Sequence, residues 1–194
     1  MVGVVIADLV VNRGFTYTPG TTTIAIPSGA TNVQLWLQAA GGSGFGRAVI
    51  DGSAGGGGGY AYLTRPVLSG EWGANLTVSI GAGSANNNGG NTTLSGTLNG
   101  AAVSVTCNGG TKGTNLADGL GGSATGGDTN IAGTDATGFV ATPPGEEAPG
   151  VYGRAGGLDQ PGAWFSQPYA PGDGGYASSS SVAGWDGYII AVWS

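Results

Sequence analysis

The stretch DGSAGGGGGYAYLTRP, residues 51–66, places five consecutive glycines directly before a strand-like run that begins at Tyr60. Such glycines form a flexible linker, a phosphate-binding loop, or backbone packed too closely for side chains. A phosphate-binding loop requires a lysine and a Ser/Thr directly after its glycines, and Tyr60 and Ala61 stand there instead. We therefore expect no nucleotide site, and we predict that residues 55–59 are close-packed backbone with at least one glycine at positive φ.

The composition favours a folded domain over a linker. Glycine supplies 43 of the 194 residues, about three times its average share, and only 8% of the residues are charged. Hydrophobic residues nevertheless reach 40%, enough to build a core in one domain of this length. Disordered glycine-rich chains lack such apolar content, so the linker interpretation is excluded.

Alternating apolar and polar residues predict an all-β fold, a compact antiparallel β-sandwich with almost no helix. In VQLWLQA, residues 33–39, every second residue is apolar. The other predicted strands cover residues 21–26, 60–68, 76–80, 92–98, 103–107 and 188–193. Asn99-Gly100 predicts a two-residue hairpin turn, because both residues tolerate positive φ. Cys107 is expected to be a small buried residue, and Trp36, Trp185 and Trp193 to lie in strands at core or inter-sheet contacts.

We expect a single glycine-rich β domain over residues 1–194. Its parts are a candidate docking strand at 1–12, a β-rich half at 13–107, a glycine-rich segment at 108–184 and a closing strand at 185–194. The glycine-rich segment has almost no alternating pattern. In part of it glycine recurs at every third position, which suits extended left-handed helices with three residues per turn. One such run contains Gly110, Gly113, Gly119 and Gly122, and the other contains Gly150, Gly153, Gly156 and Gly162.

The charge and the N-terminus limit the partners. Five Lys and Arg residues oppose eleven Asp and Glu residues, and no cationic cluster for nucleic acid is present. The apolar run at residues 1–11 lacks a basic region, contains Asp8 and is too short to span a bilayer. We therefore expect no nucleic-acid partner, no signal peptide and no membrane insertion. The run suits docking by strand addition to a neighbouring protein. The docking candidates are Val2, Val4, Ile6 and Val10.

Catalysis is not expected. The chain has no histidine, which removes the usual activation of a serine or cysteine nucleophile and the commonest metal ligand. Glu146 and Glu147 are adjacent, so an extended chain would direct them to opposite sides, whereas a glycosidase needs two facing carboxylates. Asp128 and Asn130 match only two positions of a calcium loop. We predict no enzymatic activity, no cofactor and no metal.

Aromatic residues cluster in AWFSQPYAPGDGGY, residues 163–176, with one more tyrosine upstream. Flat apolar rings with a polar rim suit binding to sugars or to loops of outer-membrane proteins. The alternative is that the rings cover glycine backbone. The receptor-contact candidates are Tyr152, Trp164, Phe165, Tyr169 and Tyr176.

The order of the elements resembles the glycine-rich domain of bacteriophage tail fibres, tail tips and related virion surface proteins. Four pieces have this order: TTTIAIPSGATNVQLWLQAAGG, GGGGGYAYLT, NLTVSIGAGS and GWDGYIIAVW, at residues 21–42, 55–64, 75–84 and 184–193. The resemblance implies a virion component displayed outside the particle, without catalysis and in some members in contact with the host surface.

From this resemblance we expect a non-enzymatic virion protein of a tail fibre or tail tip with a role in host recognition. The expected partners are other virion proteins, further copies of the chain, and a host glycan or outer-membrane protein. It would be synthesised in the host cytoplasm. The alternatives are a capsid-decorating or cement protein and a carbohydrate- or ice-binding module. Ice binding needs regular ranks of threonine, and the threonines at 21–23 and 92–93 do not repeat along the chain.

Overall fold

The computed structural model describes residues 12–16, 18–46, 53–114, 117–136, 174 and 181–194. The strands, in chain order, are β1 (Asn12–Thr16), β2 (Gly20–Ala25), β3 (Asn32–Gln38), β4 (Tyr60–Pro66), β5 (Asn75–Ile80), β6 (Thr92–Leu98), β7 (Ala101–Cys107), β8 (Ala124–Thr125), β9 (Thr129–Ile131) and β10 (Tyr188–Trp193). One 3-10 helix, Ser69–Glu71, is the only helix in this part of the chain.

The strands form two antiparallel sheets of five strands each. Sheet A has the order β1-β10-β3-β4-β9, and sheet B has the order β2-β5-β6-β7-β8. Strands β3 and β4 of sheet A lie against β6 and β7 of sheet B. The predicted β-sandwich is confirmed, and the seven strands predicted between residues 21 and 193 are present. Residues 1–11 of the candidate docking strand lie outside the described residues. Strands β1, β8 and β9 are additional, and the last two are too short to show an alternating pattern in the sequence.

The inner faces of the two sheets enclose one hydrophobic core. The alternation predicted for β3 is obeyed, since Val33, Leu35 and Leu37 are fully buried. Cys107 is buried as predicted. Residues 188–191 of β10 are all buried, which confirms a central strand covered on both faces. Each fully buried Leu or Val contributes about 1.5–3 kcal/mol relative to an exposed one, so this core is a major source of stability.

The three tryptophans that were expected in core or inter-sheet positions lie in three different environments. Trp193 is in the core as predicted. Trp36 is in β3, but on the outer face, because period-two alternation places it opposite Leu35 and Leu37. Trp185 precedes β10 and is 47% exposed. For Trp36 and Trp185 the prediction was wrong.

The Asn99-Gly100 turn joins β6 to β7 as predicted. Asn99 has φ 54° and Gly100 has φ 70°, the two positive values of a type I′ turn. The buried carboxylate of Glu71 accepts the N–H of Gly100 at 2.8 Å, of Leu68 at 2.9 Å and of Asn99 at 3.1 Å. These bonds, that of Gly100 first, hold the pKa of Glu71 below its ordinary value. Glu71 therefore fastens the hairpin turn to the 3-10 helix.

Beyond one end of the sandwich the chain continues as extended segments that we call the glycine lattice. Strands β3, β5 and β7 run into the lattice, and β4, β6 and β10 run out of it. The lattice thus contains strand extensions from both sheets as well as residues of the glycine-rich segment. Its segments are residues 39–45, 53–59, 81–90, 108–114, 117–123, 133–136 and 181–187.

Hydrogen bonds in the glycine lattice repeat every third residue. Along residues 39–45, successive N–H groups donate in rotation to three neighbours, which are the segments 53–59, 81–90 and 181–187. The bonds to the first neighbour run from Ala39 to Gly59, from Gly42 to Gly56 and from Phe45 to Ser53, at 2.9, 2.9 and 2.8 Å. A strand bonds in one plane, whereas a three-residue period turns the bonds through three directions, as left-handed polyproline II helices allow.

The same period appears at the first of the two runs in which it was predicted from the glycine spacing; the second run, Gly150, Gly153, Gly156 and Gly162, lies outside the described residues. Gly110 and Gly113 donate to Ala40 at 3.0 Å and to Ser43 at 2.9 Å. Gly119 and Gly122 donate to Ala54 and Gly57, both at 2.8 Å. The three-residue period predicted within each of these two pairs of glycines is therefore confirmed.

At many of its glycines the lattice leaves no room for a side chain, because neighbouring backbones nearly touch. A Cβ atom added to Gly42 would overlap the carbonyl oxygen of Thr111, and one added to Gly56 would overlap that of Leu120. In both cases the obstacle is main chain, which cannot rotate away as a side chain can. This confirms that residues 55–59 include close-packed backbone.

The expected positive φ within residues 55–59 was wrong. The described glycines with positive φ all lie elsewhere: Gly20, Gly29, Gly73, Gly96, Gly100 and Gly126. A polyproline II helix has φ near −75°, which every residue adopts without strain. Glycine is required here because of the missing Cβ and not because of its conformational freedom.

Gln38 attaches the lattice to sheet A. Its side chain is buried, and Nε2 donates to the carbonyl oxygens of Gly58 at 2.9 Å and of Gly59 at 3.0 Å. A buried amide with several partners compensates the cost of its own desolvation. The last residue of β3 therefore holds the segment that leads into β4.

The outer face of sheet B carries a regular array of hydroxyl side chains, which we call the hydroxyl face. The strand register places Thr and Ser residues of four neighbouring strands in two rows. One row contains Thr21, Ser79, Thr93 and Thr106, and the other contains Thr23, Thr77, Ser95 and Ser104. This array of Thr and Ser runs across neighbouring strands, whereas the threonines at 21–23 and 92–93 do not repeat along the chain.

Replacing a lattice glycine is predicted to destabilise the protein. We expect Gly56→Ala to lower the free energy of unfolding by on the order of 3 kcal/mol, because the added methyl meets immobile backbone. Urea denaturation measures the effect. The matched control is Gly70→Ala, where an added Cβ has no atom within 4 Å; it should change stability by less than about 0.5 kcal/mol. Equal effects of the two variants would contradict the packing account.

Glu71 is predicted to make the free energy of unfolding depend on pH in the acid range. Because the folded-state pKa lies below the ordinary value of 4.5, the stabilisation is complete above that value and is lost as the pH falls through the folded pKa. We expect Glu71→Gln to lower the unfolding free energy at neutral pH and to have a much smaller effect in strong acid. Denaturant titrations at both pH values measure this. The same loss at both would show that the carboxylate charge is not responsible.

Candidate functional site

The site residues predicted from sequence lie outside the described residues. This holds for the receptor-contact candidates Tyr152, Trp164, Phe165, Tyr169 and Tyr176. It holds equally for the docking candidates Val2, Val4, Ile6 and Val10. Both sets stay predictions, and the candidate site described below is a different one.

Within the described part of the chain, an aromatic pair lies on the outer face of sheet A. Trp36 on β3 is the register partner of Tyr62 on β4. Their ring centroids are 5.2 Å apart, and their planes meet at 44°. Both side chains are half-buried. We call this pair, with its neighbours Gln34 and Thr64, the aromatic face.

The strand register explains why these side chains meet. Gln34 is opposite Thr64 on the same two strands, and residues two apart on a strand share a face. The hydroxyl of Thr64 donates to the hydroxyl of Tyr62 at 2.6 Å. The rings are therefore bordered by hydroxyl and amide groups.

An ion pair borders the aromatic face on the side of the turn before β9. Arg65 Nη1 lies 2.7 Å from Oδ1 and 2.9 Å from Oδ2 of Asp128. Asp128 Oδ2 also accepts the N–H of Thr64 at 2.8 Å. The N–H of Thr64 and then the guanidinium of Arg65 hold the pKa of Asp128 below its ordinary value. Asp128 thus remains charged at neutral pH and binds the turn to β4.

The arrangement of the aromatic face suits ligand binding. Half-exposed rings can cover the apolar face of a ligand while neighbouring hydroxyl and amide groups bond to its edge. Asp128 is committed to Arg65 and to Thr64. In the described ranges no group of three or more His, Cys, Asp or Glu side chains could hold a metal ion.

Cys107 does not provide a nucleophile. It is fully buried, and its Sγ donates to the carbonyl oxygen of Leu37 at 3.6 Å. Burial raises the pKa of the Cys107 thiol to about 12. Because the thiolate is the reactive form, this side chain is inert at neutral pH.

Two further polar groups, the hydroxyls of Ser43 and Tyr60, are buried. The oxygens of Ser43 and Tyr60 have no hydrogen-bond partner within the described part of the chain. Burial raises the pKa of Tyr60, so its phenol is neutral. Tyr60 is fully enclosed at the start of β4 and offers no surface to a ligand.

Sequence reasoning missed the aromatic face. The alternation in YAYLT, residues 60–64, places Tyr60 and Tyr62 on one face, and that in β3 places Trp36 away from the core. Each alternation alone indicates on which face of its strand the aromatic ring lies. The pairing of Trp36 with Tyr62, however, depends on the register between β3 and β4, which the sequence does not specify.

Comparison with known proteins gives one family. A family model described as a glycine-rich domain matches residues 16–191. The match extends from the last residue of β1 into β10, so it includes the sandwich and the glycine lattice. No curated protein sequence matches the chain. No helix among the described residues has the length and apolar character needed to cross a membrane.

Proposed function

We propose that this chain, which belongs to the glycine-rich domain family, is a non-enzymatic structural protein on the exterior of a bacteriophage particle. Its place would be a tail fibre or tail tip, where it takes part in recognising the host. Its partners would be other virion proteins, further copies of the chain and a host glycan or outer-membrane protein.

The glycine lattice is the observation on which this proposal rests. Its segments bond to one another through main-chain groups in three directions, and many of its glycines leave no room for a side chain. Local opening must break several of these bonds together, which protects the backbone. A protein exposed outside the cell needs such kinetic stability against proteases and drying.

A rigid framework also favours recognition. Groups that are already fixed lose little conformational entropy when a ligand binds. The aromatic face offers Trp36 and Tyr62 on two paired strands, bordered by polar groups. This chemistry fits a glycan, whose ring presents an apolar face and a hydroxyl edge. The aromatic cluster predicted at residues 163–176 would extend the same chemistry.

The resemblance to virion proteins supplies the location. The four sequence pieces that carry it contribute β2, β3, β4, β5 and β10, together with parts of the glycine lattice. The resemblance therefore rests on the framework of the fold and not on one surface motif. The net charge of −6 gives no attraction to anionic surfaces, so recognition would depend on short-range contacts.

The proposal is tested first by location. Gold-labelled antibodies against the purified chain, applied to intact particles, should bind at the tail fibre or tail tip in electron micrographs. Labelling confined to the capsid would replace the proposal with the capsid-decorating alternative. No labelling of particles that demonstrably contain the chain would overturn exterior display.

Recognition is tested by competition. Purified chain added to host cells should reduce particle adsorption in a dose-dependent way. We expect Trp36→Ala to weaken this competition at least tenfold, since a large ring contact is lost at the aromatic face. The matched control is Trp72→Ala, which removes an exposed ring beside the 3-10 helix. Thermal unfolding of both variants verifies that they are folded. Full competition by folded Trp36→Ala would exclude the aromatic face from recognition.

The hydroxyl face favours one second candidate, an ice-binding module. Its two rows of Thr and Ser are spaced by the strand separation of about 4.8 Å in one direction and by about 6.8 Å, two residues of an antiparallel strand, in the other. A regular array of this kind can order water. Thermal hysteresis of the purified chain decides the matter: a measurable gap between melting and freezing would favour this candidate, and its absence would exclude it.

A further inference from the structure

Edge strands of a sheet expose unpaired N–H and C=O groups, and proteins normally protect them. The described part of the chain has four such edges. Strands β8 and β9 have two and three residues, which is the protection that short length provides. Strand β1 includes Arg13, a charged residue of the type found at protected edges. The fourth edge is β2, with six residues at the border of sheet B.

Strand β2 has none of these protections. Its sequence, GTTTIA, contains no charge and no proline. Its pairing with β5 is continuous over all six residues, without a bulge that would twist the edge away. Thr21, Thr22 and Thr23 are exposed to solvent. Threonine and isoleucine favour strands, so this edge is a good template for another strand.

The hydrogen bonds show which groups of β2 point outward. The N–H of Ile26 donates to the carbonyl oxygen of Ala74 at 2.9 Å. Bonding and non-bonding residues alternate along an antiparallel pair, so Ile24 and Thr22 bond to β5 in the same way. The residues whose N–H and C=O groups point away from β5 are Thr21, Thr23 and Ala25.

These outward groups are self-complementary. A second copy of β2, placed antiparallel with the two-fold axis at Thr23, puts Thr23 opposite Thr23 and Thr21 opposite Ala25. Every outward N–H then meets an outward carbonyl, as in an ordinary antiparallel ladder. Threonine pairs across strands are favourable. Neighbouring β5, NLTVSI, is also uncharged, so no like charges meet at the junction.

We propose that two copies of this chain associate through β2, which joins sheet B of each copy into one continuous antiparallel sheet. The partner is therefore a second copy of the same chain, and the contact is isologous. A single strand pair is smaller than a standard interface. The association thus requires concentrated protein or copies held close together, as in an assembly. This inference does not depend on the proposed function.

A cysteine at the two-fold axis tests the proposal. In a hydrogen-bonded antiparallel pair the two Cα atoms are about 5.5 Å apart, a separation that suits a disulfide. The native Cys107 is buried and does not compete. Under mild oxidation of concentrated protein, Thr23→Cys should form a covalent dimer at least tenfold faster than Thr97→Cys, an exposed position on β6 away from the edge. Equal rates for the two variants would overturn the proposal.

Non-covalent association is measured in the unmodified protein by sedimentation. Its mass should rise towards that of a dimer with increasing concentration, whereas Thr23→Lys should remain a monomer because two charges would meet at the axis. Thr97→Lys serves as the control and should associate like the unmodified protein. Circular dichroism verifies that both variants are folded. A protein that stays monomeric at every concentration, or a dimer that Thr23→Lys does not weaken, would contradict pairing through β2.

Discussion

Main chains in the glycine lattice approach so closely that a Cβ atom would overlap a neighbouring carbonyl group. This constraint determines the architecture beyond the end of the sandwich. At Gly42 the obstacle is the carbonyl of Thr111, and at Gly110 it is the carbonyl of Gly56. Because glycine leaves no side chain at these contacts, many N–H groups of the segments bond to the main chain of several neighbours in turn. The conformational entropy lost by ordering glycine is offset by this dense bonding.

The sandwich and the lattice depend on each other. Strands β3 and β7 continue directly into lattice segments, and β4 and β10 begin where other lattice segments end. The hydrophobic core therefore fixes the ends of the lattice segments, and the lattice in turn fixes the spacing of the strands. Gln38 lies at this boundary and bonds the end of β3 to Gly58 and Gly59. A substitution that destabilises either part is therefore expected to destabilise the other.

Local features of the fold could be predicted from the sequence. The Asn99-Gly100 turn, the buried side of β3 and the burial of Cys107 each depend on a few neighbouring residues. The positive φ expected among residues 55–59 failed for a physical reason: glycine is used there to save space, and sequence alone does not distinguish this from a strained turn. The three-residue spacing of Gly110 and Gly113 was the better signal.

Features that depend on strand register could not be predicted. The hydroxyl face combines β2, β5, β6 and β7, which are distant in sequence. The aromatic face likewise requires β3 and β4 to pair so that Trp36 meets Tyr62. Both candidate surfaces lie on the outer faces of the sheets, while the lattice consists mainly of backbone. The fold thus separates a rigid framework from the side chains that can contact a partner.

Hydrogen exchange measures the central claim, that the network of backbone hydrogen bonds makes the lattice a rigid part of the folded protein. The account predicts that the amides of Gly42, Gly56 and Gly122 exchange as slowly as the core amides of β3, because they open only when the protein unfolds. Exchange of these three amides at the rate of an exposed loop, while β3 remains protected, would contradict it.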